Sequence, residues 1–163
     1  MRRVYGFAGL VLLAACLTVS CGKIWRIDPP GVLSGSVWKG TNDARGEILY
    51  FCYYDSRVIS YEPDGSDRIG TQEDGNLELF FTSAADTVKY TGTYTYIRYP
   101  AVYVNATKVE MNLVLRNEDT GEVREGSMLH SDTHFYFHFN DETRAYPVAE
   151  YTGDMSVIDS LRK

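Results

Sequence analysis

The stretch 88-VKYTGTYTYIRY-99 changes the character of its side chains at every second residue. Its apolar and aromatic positions share one face, which carries Val88, Tyr90, Gly92, Tyr94 and Tyr96, while lysine and threonines occupy the other. A period of two predicts a β-strand with one face in a core and one face in water. Such alternation is typical of antiparallel sheets, because one of their faces remains solvated.

The same alternation extends outward from this stretch along most of the chain, and it predicts two further inward sets: Val109, Met111, Leu113 and Leu115, and Phe135, Phe137 and Phe139. Turn residues separate the apolar runs and predict antiparallel hairpins, at Asp64-Gly65, Asp74-Gly75-Asn76, Asp119-Thr120-Gly121 and Asn140-Asp141-Glu142. We expect eight or nine strands, at about 36–41, 46–54, 56–62, 76–83, 87–98, 101–116 with a break, 122–130, 134–140 and 144–151. This number of short strands predicts a sandwich or a closed barrel, and closure removes exposed edges.

The stretch 47-EILYFCYY-54 is apolar or aromatic on both faces. One face holds Leu49, Phe51 and Tyr53, and the other includes Tyr50 and Tyr54. The second face therefore needs a cover. The C-terminal tail, residues 152–163, is one candidate, because Met155, Ile158 and Leu161 have the spacing of a short helix. A binding partner that contacts Tyr50 and Tyr54 is the other.

The N-terminus has the pattern of an export signal, with a basic start followed by an uncharged, mostly apolar run from Val4 to Val19. Small residues before Cys16 and Cys21 resemble the lipobox of bacterial lipoproteins. Cys16 fits the usual pattern better, but the apolar run ends at Ser20, so cleavage before Cys21 is favoured. We therefore expect a signal peptide at 1–20, lipidation of Cys21 with Cys16 as the alternative, a tether at 21–33, and a barrel domain at 34–151.

The net charge limits the classes of molecule that the protein can bind. The chain has a formal net charge of −6, and removal of Arg2 and Arg3 with the signal peptide leaves a net charge of −8. This acidic balance argues against nucleic acid and against electrostatic binding to anionic lipid, so membrane contact is expected through the anchor alone. Gly22 follows Cys21, where an acidic residue would signal retention in the inner membrane. The expected location is the outer membrane, facing either the periplasm or the cell surface.

Five segments resemble, in order, the strands of small lipocalin-like lipoproteins of Gram-negative bacteria. They are SVWKGT, GEILYF, GTYTYIRYPAVYV, REGSMLH and AYPVAEY, and they span Ser36 to Tyr151. The resemblance implies an all-β, antiparallel, lipocalin-like barrel of eight or nine strands on a lipid tether, with a short C-terminal helix. It also implies a binding role rather than catalysis.

Two regions are candidates for contact with other molecules. Tyr90, Tyr94 and Tyr96 share the inward face of one strand, where buried hydroxyls need partners. They form either a filled core, which we favour, or the lining of a cavity for one small ligand. The long acidic loop over 62–76 is a candidate for partner contact, through Asp64 and Asp67.

Metal binding and catalysis receive little support from the motifs. His130, His134 and His138 recur every four residues, but on a strand His134 and His138 lie roughly 13 Å apart, too far to share an ion. The acidic loop lacks the spacing of an EF-hand. Because no recognisable nucleophile and base or phosphate loop is present, we expect neither an enzyme nor a cofactor or metal site.

The sequence favours one function, which is given first, and leaves two alternatives. The first is a lipid-anchored barrel that binds a small apolar or aromatic ligand, or a glycan, through its Tyr-rich interior or one of its mouths. The second is a protein-interaction module such as an enzyme inhibitor, since lipoprotein inhibitors of lysozyme are also anchored barrels. The third is a structural component of the envelope.

Overall fold

A computed structural model describes residues 30–61, 70–99, 108–130 and 134–163. Its eight strands close into one antiparallel barrel in chain order, with β8 paired to β1, and the predicted all-β barrel is confirmed. The strands are β1 (Val37–Asn42), β2 (Glu47–Tyr61), β3 (Gly70–Thr82), β4 (Thr87–Tyr99), β5 (Lys108–Asn117), β6 (Val123–His130), β7 (Phe135–Phe139) and β8 (Tyr146–Glu150). One helix, α1 (Ser156–Leu161), follows the barrel.

The barrel wall is uneven in height. Strands β2, β3 and β4 have 15, 13 and 13 residues, whereas β7 and β8 have five each. Only three residue pairs join β8 to each of its neighbours, so closure depends on a short seam. The short turns after β1, β3, β5 and β7 lie at one end of the barrel, the turn end. The opposite end, the strap end, receives the N-terminal segment.

The core lies inside the barrel and is rich in aromatic rings. Apart from Gly92, which has no side chain, the inward positions predicted on β4, β5 and β7 are packed in or against this core, which confirms the face assignments made from alternation. Glycines make room for two of the rings. A Cβ at Gly75 would lie 2.7 Å from the Tyr94 ring, and one at Gly126 would lie 2.6 Å from the ring of Phe137. The rings fill the interior by stacking directly on backbone.

Two sequence predictions about β2 and β3 are wrong in detail. The strands expected at 46–54 and 56–62 form one strand, which is interrupted by a bulge between Tyr54 and Arg57, where Asp55 has φ of 49°. The turn expected at Asp74-Gly75-Asn76 is instead paired strand within β3. Turn-forming residues are tolerated there because the bulge opposes them and the Tyr94 ring fills the space beside Gly75.

Helix α1 covers the outer face of β1 to β3, the face for which the sequence required a cover. Ile158 is fully buried against Tyr50, Cys52 and Phe80 in a second, smaller core. Arg162, just past the helix, donates to Glu78 on β3 at 2.8 Å. Burial raises the pKa of the Cys52 thiol to about 11, so the thiol remains protonated at neutral pH.

Candidate functional site

The three inward tyrosines of β4 lie in two different places. Tyr94 and Tyr96 are buried near the strap end, whereas Tyr90 lies toward the turn end, with its ring centroid 6.0 Å from that of Phe139. The predicted cluster is therefore divided, and only Tyr94 and Tyr96 belong to one polar site.

A short N-terminal segment, residues 30–36, occupies that site, and we name it the mouth strap. It begins against β4, where the Tyr96 hydroxyl donates to the carbonyl of Pro30 at 2.7 Å. It ends on β2, where the amide of Gly35 donates to the carbonyl of Tyr53 at 2.8 Å. Between these contacts Leu33 is buried in the main core, so the strap supplies part of the barrel filling.

Glu73 on β3 holds the strap in place from inside the barrel. This side chain is 1% exposed, and its carboxylate accepts hydrogen bonds from the amides of Leu33 at 2.7 Å and Ser34 at 2.8 Å. The Tyr94 hydroxyl also donates to it, at 2.6 Å. A buried carboxylate is costly unless it is well hydrogen-bonded, and these three donors meet that requirement.

Burial also determines the state of the tyrosines around Glu73. It is the largest cause of the raised pKa of Tyr53, Tyr94 and Tyr96, and hydrogen bonding to Glu73 adds to the effect at Tyr94. All three hydroxyls stay protonated over the physiological range and act as hydrogen-bond donors. With Tyr94 bonded to Glu73 and Tyr96 bonded to Pro30, this set of residues is engaged within the chain.

Ion pairs cover the turn end. Arg124 donates to Asp141 and Glu142 at 2.6 and 2.7 Å, and its guanidinium lies 3.7 Å from the centre of the Phe139 ring. Arg144 donates to both oxygens of Glu47 at 3.0 Å. An open cleft of about 570 Å³ lies beside these pairs. Its charged groups are bonded mainly to one another, which suits a structural closure of this end.

A second concavity, the seam groove, lies outside the barrel over the junction of β8 and β1. It has a volume of about 310 Å³. Small or apolar residues of β8 and polar groups at the rim line it together: Lys39, Thr41, His134, Pro147, Val148, Ala149, Glu150 and Tyr151. Unlike the interior, this groove is open to solvent.

The structure places the other predicted contact residues as follows. Tyr50 is 7% exposed and packs edge-on against Tyr151, with ring centroids 5.4 Å apart, while Tyr54 is partly buried. Asp64 and Asp67 lie outside the described residues, as do both candidate lipidation cysteines, Cys16 and Cys21.

Among the described residues, no group of three or more His, Cys, Asp or Glu side chains could hold a metal ion. Within the same part of the chain, no helix has the length and apolar character needed to cross a bilayer.

Glu73 is the site residue that the sequence analysis missed. The sequence places Glu73 within the acidic loop expected over 62–76, because Asp74-Gly75-Asn76 next to it has the composition of a turn. Alternation provides one signal, since Glu73, Gly75 and Leu77 share a face once the strand is extended backward. Searches of family models, curated proteins and solved structures found no match to this chain.

Proposed function

We propose that the chain is a lipid-anchored, non-catalytic barrel of the bacterial envelope that recognises its partner on its outer surface. The observation that carries this proposal is the occupied interior. Glu73 accepts hydrogen bonds from Tyr94 and from two amides of the mouth strap. Tyr96 donates to the strap carbonyl of Pro30. A ligand inside the barrel would have to displace Leu33 and break these bonds.

The anchor is supported by the sequence, through the basic start, the apolar run and the small residues before Cys21 and Cys16. The position of the mouth strap limits how far an anchored domain can lie from its membrane. The chain enters the barrel at Pro30, nine residues after Cys21, so an anchored domain would lie close to its membrane. A fully extended tether of that length spans about 30 Å.

The test is native mass spectrometry of the full-length protein extracted from its own membrane, followed by denaturation of the same sample. We expect the denatured mass to show acylation of Cys21. We also expect the native protein to carry no apolar small molecule. Titration with the probe N-phenyl-1-naphthylamine should give no saturable signal, because Leu33 and the aromatic rings pack against one another inside the described part of the barrel.

Two results would contradict the proposal. A non-acylated mature chain would remove the anchor. A retained lipid-sized molecule, or saturable probe binding that weakens when Leu33 is replaced by Trp, would place a ligand in the interior. Acylation at Cys16 in place of Cys21 would change the cleavage site and leave the anchored barrel intact.

A further inference from the structure

The seam groove owes its shape to the side chains on either side of the seam. Pro147 and Ala149 point outward from β8 and are small, so they form a low floor. The Tyr151 ring stands at one end, held by its edge-on contact with Tyr50 and by its hydroxyl, which donates to the carbonyl of Asp154 at 3.1 Å. This aromatic wall is therefore fixed before any ligand arrives.

The rim of the groove combines hydrogen-bond donors and acceptors without net charge. Lys39 contributes an ammonium group, Glu150 a carboxylate, Thr41 a hydroxyl and His134 an imidazole. The Lys39 ammonium lies 5.7 Å from the centre of the Tyr50 ring, so it is positioned beside the aromatic wall. A cationic or an anionic ligand would meet one like charge here, whereas an uncharged polar ligand would meet none.

The surface next to the groove has no Asp, Glu, Lys or Arg at its outward positions, whereas the groove itself carries one charge of each sign. Tyr136 on β7 is paired with Pro147 on β8, and its ring lies 5.9 Å from that of His134. The outward positions Tyr136, His138, Pro147 and Ala149 include no Asp, Glu, Lys or Arg, although the chain as a whole carries −6. The neutral surface thus continues from the groove across two strands.

We infer that the seam groove binds one pyranose ring of an uncharged saccharide. A sugar ring presents an apolar C–H face, which suits Pro147, Ala149 and the Tyr151 ring, and hydroxyls that both donate and accept, which suit the rim. The groove volume is near the lower end of the range for small-ligand sites, as a single ring requires. A longer chain would continue over Pro147 toward Tyr136.

This inference rests on the proposed function, since it identifies the class of molecule recognised on the outer surface. It commits to a neutral saccharide rather than to a peptide. An extended peptide would need an unpaired strand edge to supply main-chain hydrogen bonds, and at the seam β8 is already paired on both sides.

The test uses the full-length protein in detergent and four probes: maltotriose and chitotriose as neutral saccharides, and a sialylated trisaccharide and a heparin disaccharide as anionic ones. Binding is measured by calorimetry and by saturation-transfer NMR. We expect saturable binding of a neutral probe, at least about tenfold stronger than binding of either anionic probe.

Variants locate the site. Ala149→Arg fills the groove from its exposed floor and should reduce the affinity about tenfold or more, whereas Thr93→Arg places the same side chain on an exposed position of β4 and should leave it unchanged. Lys39→Met retains most of the volume and removes the hydrogen-bond donor, so it should weaken binding without filling the site. The melting temperature of each variant confirms that it is folded.

The inference is overturned if neither neutral probe binds, or if Ala149→Arg and Thr93→Arg bind alike. Binding of a peptide at the groove in place of a saccharide would overturn it too, while leaving recognition on the outer surface in place. Saturable binding of N-phenyl-1-naphthylamine inside the barrel would instead contradict the proposed function, so the two failures are distinguishable.

Discussion

Glu73 is the residue on which the strap end depends. Burying a carboxylate that is 1% exposed would be strongly unfavourable without hydrogen-bond donors. Glu73 accepts hydrogen bonds from two backbone amides and one hydroxyl. Two of those donors come from the strap and one from β4. A single side chain therefore links the N-terminal segment to the barrel wall.

At this scale we predict that Tyr94→Phe and Glu73→Gln each destabilise the protein by about 1–3 kcal/mol, because each leaves a buried polar group without its partner. The double variant should lower the free energy of unfolding by less than the sum of the two single effects, because both changes remove the hydrogen bond between Tyr94 and Glu73. Urea unfolding followed by circular dichroism measures these values.

Thr95→Val is the matched control for this pair. Its hydroxyl also donates to a carboxylate, that of Asp74 at 2.7 Å, but on the exposed face of the same strand. Its cost should be about 0.5 kcal/mol or less, because water replaces the lost bond. Equal losses for Thr95→Val and Tyr94→Phe would show that burial of Glu73 is unimportant.

Among the elements, α1 is held to the barrel mainly by one buried side chain. It has only six residues, too few to be stable alone, and its one buried side chain is Ile158. Docking of Ile158 on Tyr50, Cys52 and Phe80 holds the helix, and the bond from Arg162 to Glu78 adds to it. Burial under the helix also keeps the Cys52 thiol protonated.

We predict that Ile158→Ala lowers the free energy of unfolding by about 2–4 kcal/mol and makes Cys52 react faster with iodoacetamide. The rate should rise because exposure lowers the thiol pKa from about 11 toward its ordinary value and opens access to the sulfur. Mass spectrometry of the peptide containing Cys52 measures the labelling.

Val157→Ala serves as the control, because Val157 belongs to the same helix and is exposed. It should change the labelling rate little. If Ile158→Ala left Cys52 as unreactive as in the wild type, α1 would not be its cover.

For the whole molecule, the strap and the barrel form one unit. The strap contributes Leu33 to the core and is bonded to β2, β3 and β4. The domain expected to begin at Ser34 therefore has buried structure that begins before that residue. We therefore expect the strap and the barrel to unfold in one cooperative transition.

Hydrogen exchange tests this statement. The amides of Leu33 and Ser34 should exchange as slowly as interior strand amides such as that of Leu113, because all three open only on global unfolding. The amide of Ala85, bonded only to a side chain in an exposed turn, should exchange many times faster. Fast exchange at Leu33 and Ser34 would mean that the strap opens independently of the barrel.

Much of this architecture is predictable from the sequence alone. Alternation identified the inward residues of β4, β5 and β7, because the side-chain period of a strand leaves only one register that buries every apolar residue. The apolar second face of 47–54 indicated that a cover was needed, and the spacing of Ile158 and Leu161 indicated which segment could provide it. The number of strands and the absence of long helical patterns predicted an all-β domain.

Other features were decided only by the tertiary structure. Residues 74–76 are strand because all three pair with β4, Asp74 and Asn76 also pair with β2, and the Tyr94 ring packs on Gly75; together these contacts outweigh the local turn propensity. Glu73 became a buried clamp because the strap, 40 residues earlier in the chain, brings it two amides. The seam groove is formed by β1, β8 and Tyr151, which meet only when the barrel closes. Local patterns determine which way a side chain faces, whereas the partner it meets depends on contacts between distant segments.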